Sequence, residues 1–191
     1  FPCWSLAGDQ SRAKDILQQT CAQCHRLEGK ADSRFNLRAP DLIWAGSKYQ
    51  RSWLTRWLTG KEAPLYAKGY RWDLTTVPSK HPMVTESEAD AIADYFAEHN
   101  KDPRVTVGAF DLSKVTKFEV AFGRAAYKAH ACLGCHTIEE NGKLIGGQQS
   151  AALEKAGQRY NMDWLFRFGL NPQDFVPHSG EFLADATEPQ L

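Results

Sequence analysis

Two five-residue stretches, Cys21-Ala22-Gln23-Cys24-His25 and Cys132-Leu133-Gly134-Cys135-His136, constrain this chain more than anything else in it. Two thiols three positions apart lie on one side of a helical turn, and the histidine that follows is presented to whatever the thiols hold. This C-x-x-C-H spacing is that of covalent c-type haem attachment. Each thiol adds across a haem vinyl group, and the imidazole of His25 or His136 becomes the proximal ligand of the iron. A structural zinc site needs a closed tetrahedral donor set and leaves the histidine after each pair without a role. A thioredoxin-like redox pair needs a βαβ context, which the sequence lacks. The expectation is a protein with two covalently bound haem c groups.

Length and charge narrow the reading further. At 191 residues the chain fits two domains of about 100 residues, with one motif in each half. Domains of that size bury little core of their own, so a porphyrin that takes the place of side chains matters for their stability. With 23 basic and 23 acidic residues the net charge is zero, which gives no basis for nucleic acid or an anionic membrane as a partner. No run approaches the roughly 18 apolar residues of a spanning helix. Covalent haem attachment takes place outside the bacterial cytoplasm. A mature exported protein is therefore expected, periplasmic or otherwise extracytoplasmic, with its signal peptide removed. Four of the five cysteines are assigned to haem. Cys3 is left over, with a buried thiol, an intermolecular disulfide and a thiolate ligand as its open readings.

Taken in order, residues 1–8 read as an N-terminal arm without helical period. Asp9 to Thr20 carries Ala13, Ile16, Leu17 and Thr20 at helical spacing and runs into the first motif. Residues 26–40 read as loop. In Tyr49 to Leu58, Trp53, Leu54, Trp57 and Leu58 share a face, which predicts a short amphipathic helix with aromatic cover. A long loop over 60–81 leads to His81-Pro82-Met83. Thr85 and Glu88 then form a capping box for a helix that turns Ala89, Ile92, Ala93 and Phe96 inward. The second half repeats the first at a shift of 111 residues: Cys21 maps onto Cys132, His25 onto His136, Gly46 onto Gly157, Tyr49 onto Tyr160 and Trp53-Leu54 onto Trp164-Leu165. The division is then 9–100 for the first domain, 101–112 for a linker and 113–191 for the second.

The order of entry helix, C-x-x-C-H, Pro-Asp-Leu, aromatic helix, Pro-rich loop, Met and closing helix over residues 9–98 resembles the class I cytochrome c domain, and residues 114–182 resemble the same domain in part. The resemblance implies an all-α fold of two tandem domains, the second lacking most of its C-terminal helix. It makes Cys21 and Cys24 the thioether donors, His25 the proximal ligand and Met83 the distal ligand, in preference to His81 two residues earlier. In the second domain it implies Cys132, Cys135 and His136 in the matching roles, with no counterpart of Met83. Met162 maps onto Arg51 at the start of the aromatic helix, whereas His178, in Val176-Pro177-His178-Ser179-Gly180, belongs to the loop that supplies distal ligands. His178 is the expected sixth ligand there. Arg51 and Arg159 read either as partners of haem propionates or as plain surface arginines.

The function implied is electron transfer between redox protein partners outside the cytoplasm, by the protein alone or as a subunit of a larger oxidoreductase. A carrier or electron-transfer subunit is the expectation, ahead of a catalyst by itself. The alternative is a haem enzyme with an open distal position on the second haem, acting on peroxide or a sulfur compound. Phe118, Phe122 and Ala126 are expected to be left uncovered, so that a partner subunit or a second copy packs on the second domain.

Overall fold

The computed structural model describes residues 4–32, 38–63, 65, 80–130 and 132–177, with side chains from residue 9 onward. The described residues are mainly helical. Helix α1 (Trp4–Gln19) runs into a 3-10 turn over Cys21–Gln23. Then come the short α2 (Ala45–Lys48), α3 (Arg51–Leu58) and α4 (Glu86–His99). The second half has α5 (Lys117–Ala129), a 3-10 turn over Cys132–Gly134, a hairpin of β1 (Thr137–Glu140) and β2 (Lys143–Gly146), then α6 (Ala156–Arg159) and α7 (Met162–Leu170).

Two expectations are corrected. The segment read as an arm is helical from Trp4, because Trp4-Ser5-Leu6-Ala7 holds no breaker and the single Gly8 costs only about 1 kcal/mol in a helix. The fold is also not purely helical. Asn141 and Gly142 both take positive φ, 52° and 73°, as a two-residue hairpin turn requires, and they pair Ile138 with Ile145 and Glu139 with Leu144.

The core of the first half is the packing of α4 across α1 and α2. Ala13 and Leu17 of α1 are buried against Ala89, Ile92, Ala93 and Phe96 of α4, as the apolar spacing requires. Gly46 lets α2 come against the α4 backbone: a Cβ there would lie 2.0 Å from the Phe96 carbonyl oxygen. In the second half the position equivalent to Gly46 is Gly157, and a Cβ there meets nothing within 4 Å. Helix α5 accordingly has no buried residue, with Phe118 77% and Phe122 40% exposed and Ala126 half-buried.

The halves meet about an approximate two-fold axis. Tyr49 and Tyr160, equivalent in the repeat, form an antiparallel bridge in which Gln50 N donates to Arg159 O (2.9 Å) and Asn161 N to Lys48 O (2.9 Å). The side-chain amides repeat the exchange. Gln50 Nε2 donates to the Gly157 and Tyr160 carbonyls, and Asn161 Nδ2 to those of Ser47 and Tyr49. Aromatic rings continue across the seam in the order Trp57, Trp53, Tyr49, Tyr160, Trp164 and Phe168, with neighbouring centroids 5.0–5.9 Å apart. The linker is held as well: Asp163 accepts from Gly108 N and Phe110 N, and Arg104 bridges Asp102 and Asp174.

Candidate haem attachment sites

Both C-x-x-C-H stretches adopt the same tight turn. Cys24 N and His25 N donate to Cys21 O at 3.1 and 2.9 Å, and Cys135 N and His136 N donate to Cys132 O at 3.1 and 3.0 Å. The turn leaves one thiol of each pair half-buried, Cys21 and Cys132, and the other, Cys24 and Cys135, exposed. Burial first, then the neighbouring Cys24, pushes the Cys21 thiol up in pKa. Burial does the same for Cys132, partly offset by a backbone hydrogen bond and reinforced by Cys135. Both inner sulfurs thus stay protonated thiols, the form that adds S–H across a double bond.

The histidines are held alike. His25 Nδ1 lies 2.6 Å from Pro40 O and His136 Nδ1 2.7 Å from Ala151 O, again positions 111 residues apart. A carbonyl only accepts, so Nδ1 carries the proton and Nε2 the lone pair that would ligate a haem iron. Burial lowers the His25 pKa, opposed by the Pro40 bond and aided by His81 and Lys48, which keeps the ring neutral. Leu42 N to Arg26 O and Leu153 N to Thr137 O, both 2.8 Å, clip the two acceptor loops to the motifs at matching places. The second motif has an additional brace. Gly147 N donates to Leu133 O and Ser150 N to Cys135 O, and a Cβ on Gly147 would lie 1.9 Å from Gly134 O, so the end of the hairpin seats directly on the motif turn.

Beyond the motifs, the residues singled out in sequence are placed as follows. Met83 is 57% exposed, with its sulfur against Gly60, where a Cβ would come within 2.6 Å of it. His81 is half-buried, its ring edge-on to His25 at 6.2 Å between centroids and 5.4 Å from Trp57, and its Nδ1 is within 2.8 Å of Pro82 O. Arg51 reaches Asp90 and Asp94 on the surface of α4, which removes it as a ligand to an internal carboxylate. Arg159 is instead 4% exposed, tied to Ala152 O, and its Nε has no hydrogen-bond partner among the described residues. Met162 is half-buried at the first position of α7. His178 and Cys3 lie outside the described residues.

Haem c fits this donor set. The thiols and imidazoles are presented in one repeated geometry, and two buried N–H groups of the second half, Arg159 Nε and Trp164 Nε1, have no acceptor among the described residues. Porphyrin carboxylates are acceptors of the matching kind. When bound, haem c supplies an iron that takes up and releases one electron. The protein's part is to ligate the iron and to set its potential. Sequence reasoning did not find the two carbonyls that fix the histidines, nor Lys48. The only signal for them was the repeat, because Pro40 and Ala151 differ in type and share nothing but a position.

Residues 10–99 match the family model described as Cytochrome c. The match supports a c-type cytochrome domain over those residues, of a family that binds haem c covalently and transfers electrons. Residues 100–191, with the second motif, lie outside the match. No curated protein and no solved structure matches the chain.

Proposed function

We propose that the protein is a dihaem electron carrier that relays electrons between redox partners outside the cytoplasm, one haem on Cys21, Cys24 and His25 and the other on Cys132, Cys135 and His136. The observation that carries this is the repetition of the histidine hydrogen bond. His25–Pro40 and His136–Ala151 have the same atoms, nearly the same length and the same sequence offset. A chance C-x-x-C-H has no reason to acquire an Nδ1 acceptor at the matching place. Met83 is the proposed distal ligand of the first iron and His178 that of the second. Cytochrome c domains are typically extracytoplasmic in bacteria, and no described helix is long and apolar enough to cross a membrane.

A second reading of the first iron has its own support. An iron between two imidazoles separates their ring centres by roughly 6 Å, each metal–nitrogen bond being about 2 Å. The His25 and His81 centroids are 6.2 Å apart. His81 in place of Met83 would lower the potential, since methionine raises it.

Mass spectrometry of the denatured protein, matured in a host competent for haem attachment, tests the main reading. Two haems per chain are expected, and one or none overturns it. EPR of the oxidised protein assigns the axial pairs: a His/Met signal that Met83→Ala abolishes supports Met83, and a His/His signal at the first site that His81→Ala abolishes supports His81. Low-spin iron at the second site that persists in His178→Ala removes His178 as its ligand.

A further inference from the structure

Resting on the two-haem reading, we propose that Lys48 is a charge shared between the two iron sites, placed by the first half against the aromatic core of the second so that it raises the reduction potential of both. Lys48 and Arg159 are equivalent in the repeat, each the last residue of its short helix and each directly before a bridging tyrosine. Their side chains cross the seam. Lys48 Nζ lies 4.9 Å from the Trp164 ring centre and 5.6 Å from that of Tyr160, as well as 5.0 Å from its own Tyr49. Arg159 in turn lies over Trp53 of the first half at 5.9 Å and over Tyr160 at 4.6 Å. Three ring faces within 6 Å hold the ammonium in place by cation–π attraction.

Lys48 differs from the ion-paired arginines of the first half in having no carboxylate partner among the described residues. Arg26 pairs with Asp41, Arg51 with Asp90 and Asp94, Arg56 with Glu62, and Arg104 with Asp102. Among the described residues Lys48 pairs with no carboxylate. Asp41, the acid whose field reaches it, is already engaged by Arg26 at 3.2 Å. Arg159, the other seam cation, also has no carboxylate partner among the described residues but keeps an Nε–H open, and a porphyrin carboxylate accepting from it would leave Lys48 as the unneutralised cation. Its field reaches His25 in its own half, and its contacts put it against Tyr160 and Trp164 in the other. When an electron enters from a reduced redox partner, each iron centre loses one positive charge and no bond changes. Burial pushes the Lys48 pKa down, opposed by Tyr160 and Asp41, and in its protonated form the ammonium is a positive charge in a poorly screened seam that favours the reduced state at both sites.

Spectroelectrochemical titration of the haem-loaded protein tests this. Lys48→Met keeps the stem and removes the charge. At a fixed applied potential the reduced-to-oxidised ratio should fall at least threefold at each haem, which for one electron is about 28 mV at 59 mV per tenfold. Lys48→Arg should restore both midpoints. Lys61→Met, which removes an exposed ammonium paired with Glu86, should leave both unmoved. Restoration by arginine is the readout a purely packing role would not give. Should Lys48→Met fail to fold, Lys48→Gln is read in the same way. Two haems by denatured mass with both midpoints unmoved, or with one moving alone, overturn this proposal and leave the two-haem reading intact. A wild-type mass with one haem overturns the two-haem reading and this proposal with it.

Discussion

At the scale of single residues, buried polar groups with more than one partner carry the consequences. Asn100 is buried at the end of α4, where its Nδ2 donates to Leu27 O (2.9 Å) and Leu42 O (3.0 Å), tying the loop after the first motif to the closing helix. Asn100→Ala strands two carbonyls and should cost about 2 kcal/mol, read as a lower denaturant midpoint at unchanged slope. The Asp102 side chain is 2% exposed. Burial alone would push its carboxyl up, but the bonds from Arg104 outweigh this and hold it below the ordinary carboxylate range. A depressed folded-state pKa gives stability that is present above the unfolded value, about 3.9, and lost as pH falls below it. Arg104→Met removes that contribution and leaves Asp102 buried without its partner, which should cost about 3 kcal/mol near pH 7. The difference from wild type should shrink below pH 4 in pH-resolved denaturation. Asn100 stands out in the sequence only as the last residue of the first domain, because its partners are backbone carbonyls that residue type cannot announce.

At the scale of elements, the repeat sets up paired experiments. Gly46→Ala drives a methyl group into the Phe96 carbonyl, and neither backbone can yield without opening the contact between α2 and α4, so a loss of about 3 kcal/mol is expected. Gly157→Ala, at the equivalent position, meets open space inside a helix and should be neutral or stabilising by up to about 1 kcal/mol. Thermal denaturation of the two variants side by side checks the contrast. Gly147→Ala should unseat the hairpin from the Cys132–Gly134 turn and lower haem occupancy at the second motif, read as haem per chain after maturation. The capping box of Thr85 and Glu88, expected from sequence, is formed, and Thr116 with Glu119 makes a second one at α5. The hairpin was legible too, in Asn141-Gly142 between Thr137-Ile138-Glu139-Glu140 and Lys143-Leu144-Ile145-Gly146. Reading the second half through the first, whose sequence has Lys30-Ala31 in place of Asn141-Gly142, passed over it.

For the whole molecule, the seam makes one body of two repeats. Gln50 and Asn161 supply four side-chain hydrogen bonds across it, beside the two of the backbone bridge. Removing both amides, as Gln50→Ala with Asn161→Ala, should split a single calorimetric transition into two, with the second half melting first because α5 contributes no buried residue. One unsplit transition at an unchanged temperature would show that the aromatic stacking alone holds the halves together. The exposed Phe118 and Phe122 on α5 remain the apolar surface on which the expected partner subunit or second copy would pack.

The sequence by itself determined the local chemistry: which thiols and imidazoles are presented together, where amphipathic helices lie, and that Tyr49 and Tyr160 are equivalent. Those features depend on residues a few positions apart, and spacing encodes them directly. That the equivalent tyrosines pair with one another, that Lys48 reaches rings of the other half, and that Gly46 is closed over while Gly157 is open were decided only by the tertiary structure. Each depends on surfaces brought together from residues more than 40 positions apart. A repeat specifies two like surfaces without specifying that they meet, and the contact that forms buries aromatic area while satisfying the backbone groups at the seam.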